Sequence, residues 1–436
     1  MKNFAAETRT AWESKISNLR QWHETDPADF WHTQLFWAFW ISIALFPIGY
    51  GFREVAPPVC FIFLAMYYRH DWNGSVLKRL KPKWLFYCAG VAILIGIVFS
   101  NHPWASLLHA GTGVNKAFIL PFIAMECARD ARDLRRLVWA FALACFWEGL
   151  DGLWQAHTGK DFIFGYPTRG EHRLTGSLGD YTVGNYLALA LIPAAGLWFI
   201  LREMAGRATS FFIILAILWP AVFTLQGAGA RSSVLALAGA AFLWVLCTRG
   251  IHSWRLLAYP GAIFILFILL QPARTTVAKV TGDNRWDLWR LGWEVFKEYP
   301  FFGAGAGQYN TAFRELGLAP LREQITITHP HNLYLDILYA HGAIGFGFLM
   351  VFLVGFLFWL ARNIIPQLHR EIASKTGNCY WRLTACMGLG YAGWFINGVF
   401  GHDFYRIWWL AMAMTALGIT IGAVVNGQDE KYYLPK

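Results

Sequence analysis

Long apolar runs occupy most of this chain and constrain its fold more than any other feature. Ala, Val, Ile, Leu, Met, Phe, Trp, Tyr and Cys make up 56% of the 436 residues, and Asp, Glu, Lys and Arg only 15%. A helix needs about 20 apolar residues to cross a bilayer, whereas soluble domains average about 25% charged residues. The sequence therefore predicts an all-α integral membrane protein and excludes an ordinary soluble one.

Twelve apolar segments are predicted as transmembrane helices. They divide the chain into an N-terminal segment 1–30, nine transmembrane helices over 31–271, a long loop 272–331, a mouth helix with three further transmembrane helices over 332–425, and a tail 426–436. The first segment is too polar for a cleaved signal peptide, and its spaced apolar residues favour an amphipathic helix on the membrane surface. The predicted spans are 33–52, 55–68, 84–101, 108–126, 137–156, 183–201, 209–226, 232–248, 256–271, 341–361, 383–401 and 407–425.

The distribution of basic residues predicts the orientation. With both termini in the cytoplasm, cytoplasmic segments carry 23 of the 37 Lys and Arg residues, and the short outer loops carry six. Short cytoplasmic loops are enriched in Lys and Arg, and long loops are exempt from this rule. The loop 272–331 is therefore predicted to be periplasmic. The net charge of +10 is then mainly a topology signal with contact to acidic lipids, and no nucleic-acid partner is expected.

Four arginines border the outer segments. Arg173 lies in RLTGS, Arg231 in the turn QGAGARSS at a predicted helix start, and Arg285 and Arg290 in NRWDLWR of the long loop. A single interfacial arginine usually extends its head group into water, and this is what we expect of Arg406. Several arginines around one cavity would instead provide bidentate, always-charged groups for phosphate oxygens.

The segment HPHN ends the long loop, and a helix is predicted to begin after Asn332. Histidine can accept and return a proton near neutral pH. His331 leads into the helix, whereas Pro330 biases His329 toward an extended conformation. We therefore expect His331 to be the better-positioned base.

Other polar features allow more than one interpretation. Glu148, Asp151 and Asp336 are functional candidates because carboxylates in membrane spans are costly. They could form a proton path, or they could pair with Lys116 or an arginine. GAGAG at 303–307 lacks the spacing of a dinucleotide-binding loop and predicts a flexible turn.

The first outer loop is predicted at 52–54. It offers only Arg53 and Glu54, and so lacks the pair of acidic residues that a metal-dependent glycosyltransferase would place there. No metal or cofactor is expected.

Taken together, the span pattern, the long late loop, the GARSS turn, the NRxxxW segment and HPHNLYLDILYAHGAIG resemble the bacterial O-antigen ligase and polymerase superfamily. The similarity is greatest to the lipopolysaccharide O-antigen ligases. The motifs lie within 173–345, and the topology matches over the whole chain.

This resemblance implies a C-type glycosyltransferase fold in the bacterial inner membrane that needs no metal. It implies inverting transfer of a glycan from undecaprenyl pyrophosphate to a sugar hydroxyl of lipid A-core on the periplasmic face. By motif, His331 matches the general base, Arg231 and Arg285 match pyrophosphate-binding arginines, and Arg173 matches a further polar position. The remaining substrate-binding candidates from the same motifs are Arg290, His329 and Asn332.

Two alternatives stay open beside the ligase. An O-antigen polymerase or a protein O-oligosaccharyltransferase of the same superfamily would share the donor and the base and differ in the acceptor. A transporter of an anionic or polyprenyl-linked solute would place its polar groups at mid-span, whereas here they lie at the outer mouths of the predicted spans.

The charge distribution makes a direct topology prediction. A reporter fused after Arg290 should be periplasmic, and one fused after Lys375 should be cytoplasmic. Paired alkaline phosphatase and fluorescent-protein fusions measure this, and the reverse result at both positions would invert the predicted orientation.

Overall fold

A computed structural model describes the chain as a bundle of helices. The residues it describes are 17, 20–170, 172–179, 182–250, 256, 258, 261, 262, 265, 285–318, 329–374, 379–401 and 404–428. Within this part the helices are α1 (Pro27–Ala44), α2 (Tyr50–Asp71), α3 (Val76–Arg79), α4 (Trp84–Val98), α5 (Pro103–Glu126), α6 (Ala131–Thr158), α7 (Val183–Ala194), α8 (Leu197–Met204), α9 (Arg207–Ala228), α10 (Arg231–Arg249), α11 (Arg285–Glu298), α12 (Tyr309–Glu315), α13 (Leu333–Ser374), α14 (Tyr380–Gly398) and α15 (Ile407–Asn426).

Within the described residues, seven helical stretches are long and apolar enough to cross a membrane. They confirm the prediction of an all-α membrane protein. The predicted spans 33–52, 55–68, 108–126 and 383–401 fall on the further helices α1, α2, α5 and α14. Most of the predicted ninth span, 256–271, and most of the predicted N-terminal amphipathic helix lie outside the described residues. The seven stretches are Lys81–Val98, Ala131–Thr158, Val183–Met204, Arg207–Ala228, Arg231–Arg249, Leu333–Ser374 and Trp408–Asn426.

The predicted first outer loop at 52–54 is wrong. The chain turns earlier, through a 3₁₀ turn over Phe46–Ile48 and Gly49, and α2 already includes Arg53. Gly49 has a φ of 140°, a conformation that residues with a Cβ rarely adopt. The turn therefore forms at the glycine, and Arg53 is held on a helix.

One end of the bundle gathers the connections that follow α1, α6, α9 and α14, together with the HPHN segment. We call it the loop end. The Ser177 hydroxyl donates to the Pro47 carbonyl oxygen over 2.7 Å, and the Leu174 N–H donates to Gly227 O over 3.2 Å. Beneath these connections α15 packs between α5 and α14 with almost all of its side chains buried. The connections thus rest on a solid helical core.

A sharp kink divides α13 at Gly342, where φ is 62°. The GAGAG turn packs against this kink, and the N–H groups of Ala304 and Gly305 donate to Tyr339 O (2.8 Å) and Ala340 O (3.1 Å). The predicted turn is confirmed, but it is buried and hydrogen-bonded rather than flexible.

Two glycines test how much the buried turn contributes to stability. Gly303 and Gly317 both have positive φ, at 77° and 61°, so alanine at either costs about 1 kcal/mol of backbone strain. A Cβ on Gly303 would also lie 2.5 Å from the His341 backbone nitrogen, whereas a Cβ on Gly317 meets nothing within 4 Å. Gly303→Ala should therefore lower the melting temperature far more than Gly317→Ala. Equal melting temperatures would contradict this packing.

Candidate functional site

The HPHN segment leads directly into α13. The side-chain oxygen of Asn332 accepts hydrogen bonds from the N–H groups of Tyr334 and Leu335, both at 3.0 Å, which caps the helix. The helix start predicted from the sequence is confirmed. His331 has a φ of 52°, and a non-glycine residue in this left-handed region is strained by about 1–3 kcal/mol. The cap and the short turn before it hold the imidazole in this unusual place.

A histidine pair and an arginine meet directly at this position. His329 Nε2 lies 3.1 Å from His331 Nδ1, and Arg406 Nη2 lies 3.4 Å from His329 Nδ1. An arginine can only donate, so His329 Nδ1 is the acceptor, and neutral His329 carries its proton on Nε2 and donates it to His331. The expectation that Arg406 is an ordinary interfacial arginine is wrong, because it contacts the histidine pair.

The environment keeps His329 neutral. Its side chain is buried, and this burial together with the positive charge of Arg406 lowers the pKa of His329 to about 3. Both effects disfavour the imidazolium form. His329 therefore acts as a fixed hydrogen-bonding partner near neutral pH rather than as a charged group.

A cavity of about 130 Å³ adjoins Arg406 at the loop end. The Arg53 guanidinium carbon lies 3.5 Å from the centroid of the Trp408 ring, and Arg53 Nε donates to Gly49 O over 3.1 Å. These two contacts fix the plane of the guanidinium. The cavity is lined by Arg53, Leu178, Thr182, Tyr186, Arg406, Trp408 and Trp409.

Two guanidinium groups therefore border one cavity, an arrangement suited to an anion with several oxygens. The sequence predicted neither as a site residue. Arg53 and Arg406 lie near opposite ends of the chain, and each resembles a common interfacial arginine. The one sequence signal beside Arg406 was the aromatic pair Trp408–Trp409, which begins two residues later.

The predicted arginines lie around the same end of the bundle, but none of them lines the described part of this cavity. Arg173 Nε donates to Ala228 O over 2.7 Å. Arg231 is the first residue of α10 and is half-buried, as the GARSS turn predicted. Arg173 and Arg231 therefore flank the same connection between α9 and α10.

The two loop arginines differ in their surroundings. Arg290 forms an ion pair with Asp287 on its own helix, with 2.9 Å between nitrogen and oxygen. Arg285 is half-buried at the first turn of α11. The Trp289 ring stacks on Phe400 with centroids 5.6 Å apart, which anchors α11 against the segment that leads to Arg406.

A buried polar cluster ties three helices together beside Arg231. The Asn185 side-chain oxygen accepts from the hydroxyls of Ser233 (2.6 Å) and Ser232 (3.2 Å) and from the Asn397 side-chain nitrogen (3.3 Å). The Tyr334 hydroxyl in turn donates to Phe395 O over 3.1 Å. The start of α10 is thereby linked through α14 to the HPHN helix.

The three carboxylates named from the sequence each anchor loop-end backbone. Asp151 accepts from Phe162 N over 2.6 Å, and Asp336 accepts from Phe404 N over 2.8 Å. Glu148 accepts from the backbone N–H of Ser177 (3.2 Å) and from its hydroxyl (2.5 Å). The side chain of Lys116, the alternative partner, lies outside the described residues.

An open apolar groove of about 340 Å³ begins beside Asn332 and runs between α11 and α13. Trp293 is 49% exposed on its rim. The groove could take the chain of a lipid whose polar head reaches the histidine pair. It is lined by Trp289, Trp293, Asn332, Tyr334, Leu335, Leu338 and Phe346.

These features define an integral membrane protein with a polar site at one end of its helices and an apolar groove leading away from it. Residues 216–350 match the family model described as O-Antigen ligase, which supports membership of the O-antigen ligase superfamily. Members of this family are membrane glycosyltransferase-like enzymes, which indicates a function of the ligase or polymerase type. Comparison with curated proteins finds no match to the chain.

The low pKa of His329 predicts a loss of stability in acid. Its pKa is about 3 in the folded protein and about 6.5 when unfolded. Its contribution is therefore complete above about pH 6.5 and is lost as the pH falls toward the folded value, by about 2 kcal/mol at pH 5. His329→Gln should reduce the drop in melting temperature between about pH 7.5 and pH 5, as scanning fluorimetry in detergent would measure. An unchanged drop would show that His329 is not held neutral by its site.

Proposed function

We propose that the protein is an O-antigen ligase that transfers a glycan from undecaprenyl pyrophosphate to a sugar hydroxyl of lipid A-core oligosaccharide on the periplasmic face of the bacterial inner membrane. One observation carries the proposal: Arg406 touches His329 of the histidine pair and also lines the cavity that contains Arg53. Glycosyl transfer from a diphosphate requires a base for the acceptor and positive charge for the leaving group. Both lie here within contact of each other.

Arg53 and Arg406 hold the diphosphate. Negative charge develops on the leaving diphosphate as the glycosidic bond breaks, and preorganised donors stabilise that charge most strongly where water is excluded. The Trp408 ring beneath Arg53 limits the freedom of the guanidinium. Arg231, at the N-terminus of α10, and Arg285, at the start of α11, extend the positive surface along which the donor arrives.

His331 is the general base, and His329 sets its protonation. In the resting arrangement His331 Nδ1 accepts a hydrogen bond from His329 Nε2, so a neutral His331 carries its own proton on Nε2. When Arg406 turns to the diphosphate, His329 Nδ1 no longer accepts a hydrogen bond from Arg406 and can itself carry a proton. The pair can then exchange roles: the proton on His329 Nε2 passes to His331 Nδ1, His331 Nε2 gives its proton to water, and His329 Nδ1 takes a proton from water. His331 Nε2 is then free to accept a proton. Donor binding thereby prepares the base.

The transfer is a single displacement. His331 Nε2 removes the proton of the acceptor hydroxyl while that oxygen attacks the anomeric carbon. The bond from this carbon to the diphosphate oxygen breaks at the same time, and its electron pair leaves with undecaprenyl pyrophosphate. The product is inverted at the anomeric carbon, and the base returns its proton to solvent. The groove beside Asn332 keeps the lipid chain out of water during the reaction.

Substitution of each histidine separates the two roles. His331→Ala should lower transfer about 10²–10⁴-fold, the usual cost of losing a general base, while His329→Ala should retain a measurable fraction. The assay uses purified protein, undecaprenyl-pyrophosphate glycan and rough lipopolysaccharide, with melting temperature and donor binding as controls. If His329→Ala is inactive and His331→Ala active, the roles are reversed. Normal transfer by both variants would contradict the proposed enzyme mechanism and favour a transporter.

The same reconstitution distinguishes the members of the superfamily by their acceptor. A ligase forms product with rough lipopolysaccharide, a polymerase extends the lipid-linked glycan when no lipopolysaccharide is present, and an oligosaccharyltransferase requires a protein acceptor. Extension of the donor alone, with no product on lipopolysaccharide, would overturn the assignment as a ligase.

Lysine substitutions test the diphosphate site. Arg53→Lys and Arg406→Lys keep the charge but lose the bidentate fork, so each should lower transfer about 10²-fold. We expect Arg231→Lys and Arg285→Lys to impair transfer as well. Arg362→Lys, on the exposed surface of α13 far beyond its kink, is the matched control. Equal and mild effects at all of these positions would mean that the arginines only contact water and lipid head groups.

A further inference from the structure

The first segment of α13, residues 333–341, contacts both halves of the proposed site. We propose that Asp336, His341 and Tyr405 are positioning residues that hold Arg406 beside His329, so that one short helical segment sets the geometry of both the base and the diphosphate-binding arginine. This inference rests on the proposed function and adds three residues to it, none of which touches the reacting atoms.

Asp336 fixes the backbone two residues before Arg406. Its carboxylate is buried, one turn into α13, and accepts a hydrogen bond from the Phe404 N–H over 2.8 Å. Phe404 is itself fully buried. Phe404 and Tyr405 lie in a turn outside the helices, and α15 begins only at Ile407. The Asp336 contact therefore supplies a hydrogen bond that regular structure does not.

His341 fixes the residue immediately before Arg406. Its Nδ1 lies 2.8 Å from the Ala92 carbonyl oxygen, and its Nε2 lies 2.7 Å from the Tyr405 hydroxyl. A carbonyl can only accept, so Nδ1 carries the proton and Nε2 accepts from the Tyr405 O–H. The two rings are inclined by only 21°, and the His109 ring packs edge-on against Tyr405 at 5.1 Å. Tyr405 is thus held at its hydroxyl by His341 and packs against the His109 ring.

One short segment of α13 provides all of these contacts. Asn332 caps the segment and places His331 at its N-terminus, and Gly342 kinks the chain immediately after His341. The segment is therefore oriented independently of the long remainder of α13. Its N-terminus presents the histidine pair, and its side chains hold the chain that carries Arg406. A displacement of about 1 Å between reacting groups can cost about 10²-fold in rate, so this shared support is a catalytic requirement.

Four variants test the inference. Tyr405→Phe removes only the hydroxyl. His341→Asn can keep the donor to Ala92 O but loses the acceptor for Tyr405, and His341→Gln can keep that acceptor. Tyr391→Phe is the control, because it removes an equally buried hydroxyl that donates to Leu353 O over 3.0 Å on another part of the bundle.

We expect Tyr405→Phe and His341→Asn to lower kcat about tenfold with little change in the donor KM, because Arg406 acts chiefly on the charge that develops in the transition state. His341→Gln should retain most of kcat. The double variant His341→Asn/Tyr405→Phe should be no worse than His341→Asn alone, since both remove the same link. Tyr391→Phe should have a lower melting temperature than the unmodified protein and an unchanged kcat.

The inference is overturned if His331→Ala is inactive while Tyr405→Phe and His341→Asn behave like Tyr391→Phe. Failure of the proposed function gives a different result, namely undiminished transfer by His331→Ala. A substrate-free measurement separates the two further. Displacement of Arg406 moves its positive charge away from His329. The fall in melting temperature between about pH 7.5 and pH 5 should therefore be smaller in Tyr405→Phe than in Tyr391→Phe. Equal losses in these two variants would also overturn the inference.

Discussion

Backbone N–H groups at helix ends and in loops must find acceptors when little water is present, and this constraint organises the whole bundle. Buried side chains provide those acceptors. Glu126 accepts from Val76 N (3.0 Å) and Leu77 N (3.1 Å) at the start of α3. Glu371 accepts from Trp381 N (2.6 Å) at the start of α14. Each contact ties the start of one helix to another helix, 50 residues away in the chain for Glu126 and Val76 and 10 residues away for Glu371 and Trp381.

At the loop end, buried side chains that accept hydrogen bonds from backbone N–H groups shape the candidate site. Glu148 and Asp151 bind backbone N–H groups of the connection between α6 and α7, and Asp336 binds one in the connection between α14 and α15. Asn332 binds those of the helix that follows the histidine pair. These hydrogen bonds tie the described parts of both connections to the helices. A neutral histidine and a permanently charged arginine come into contact as a result. The arginine suppresses protonation of the histidine, and the histidine orients the arginine toward the cavity.

The sequence predicted those features that depend on neighbouring residues. Apolar runs gave the helical class, and the polar stops before Arg231 and Leu333 gave two helix starts that the structure confirms. Features that depend on distant contacts were missed. The turn at Gly49 lies upstream of the predicted loop, so that Arg53 lies on a helix. The ring of Trp408, near the other end of the chain, stacks on the Arg53 guanidinium. No spacing in the sequence reports such a pairing, and Arg406 was misjudged for the same reason.

The most direct test of the account is a cryo-EM structure of the protein with undecaprenyl pyrophosphate bound. We expect the diphosphate to lie between the guanidinium groups of Arg53 and Arg406, with Arg406 turned away from His329 and the His329–His331 contact retained. The lipid chain should leave along the groove beside Asn332. A diphosphate held elsewhere, with Arg406 still on His329, would contradict the central claim that one arginine links donor binding to the histidine base.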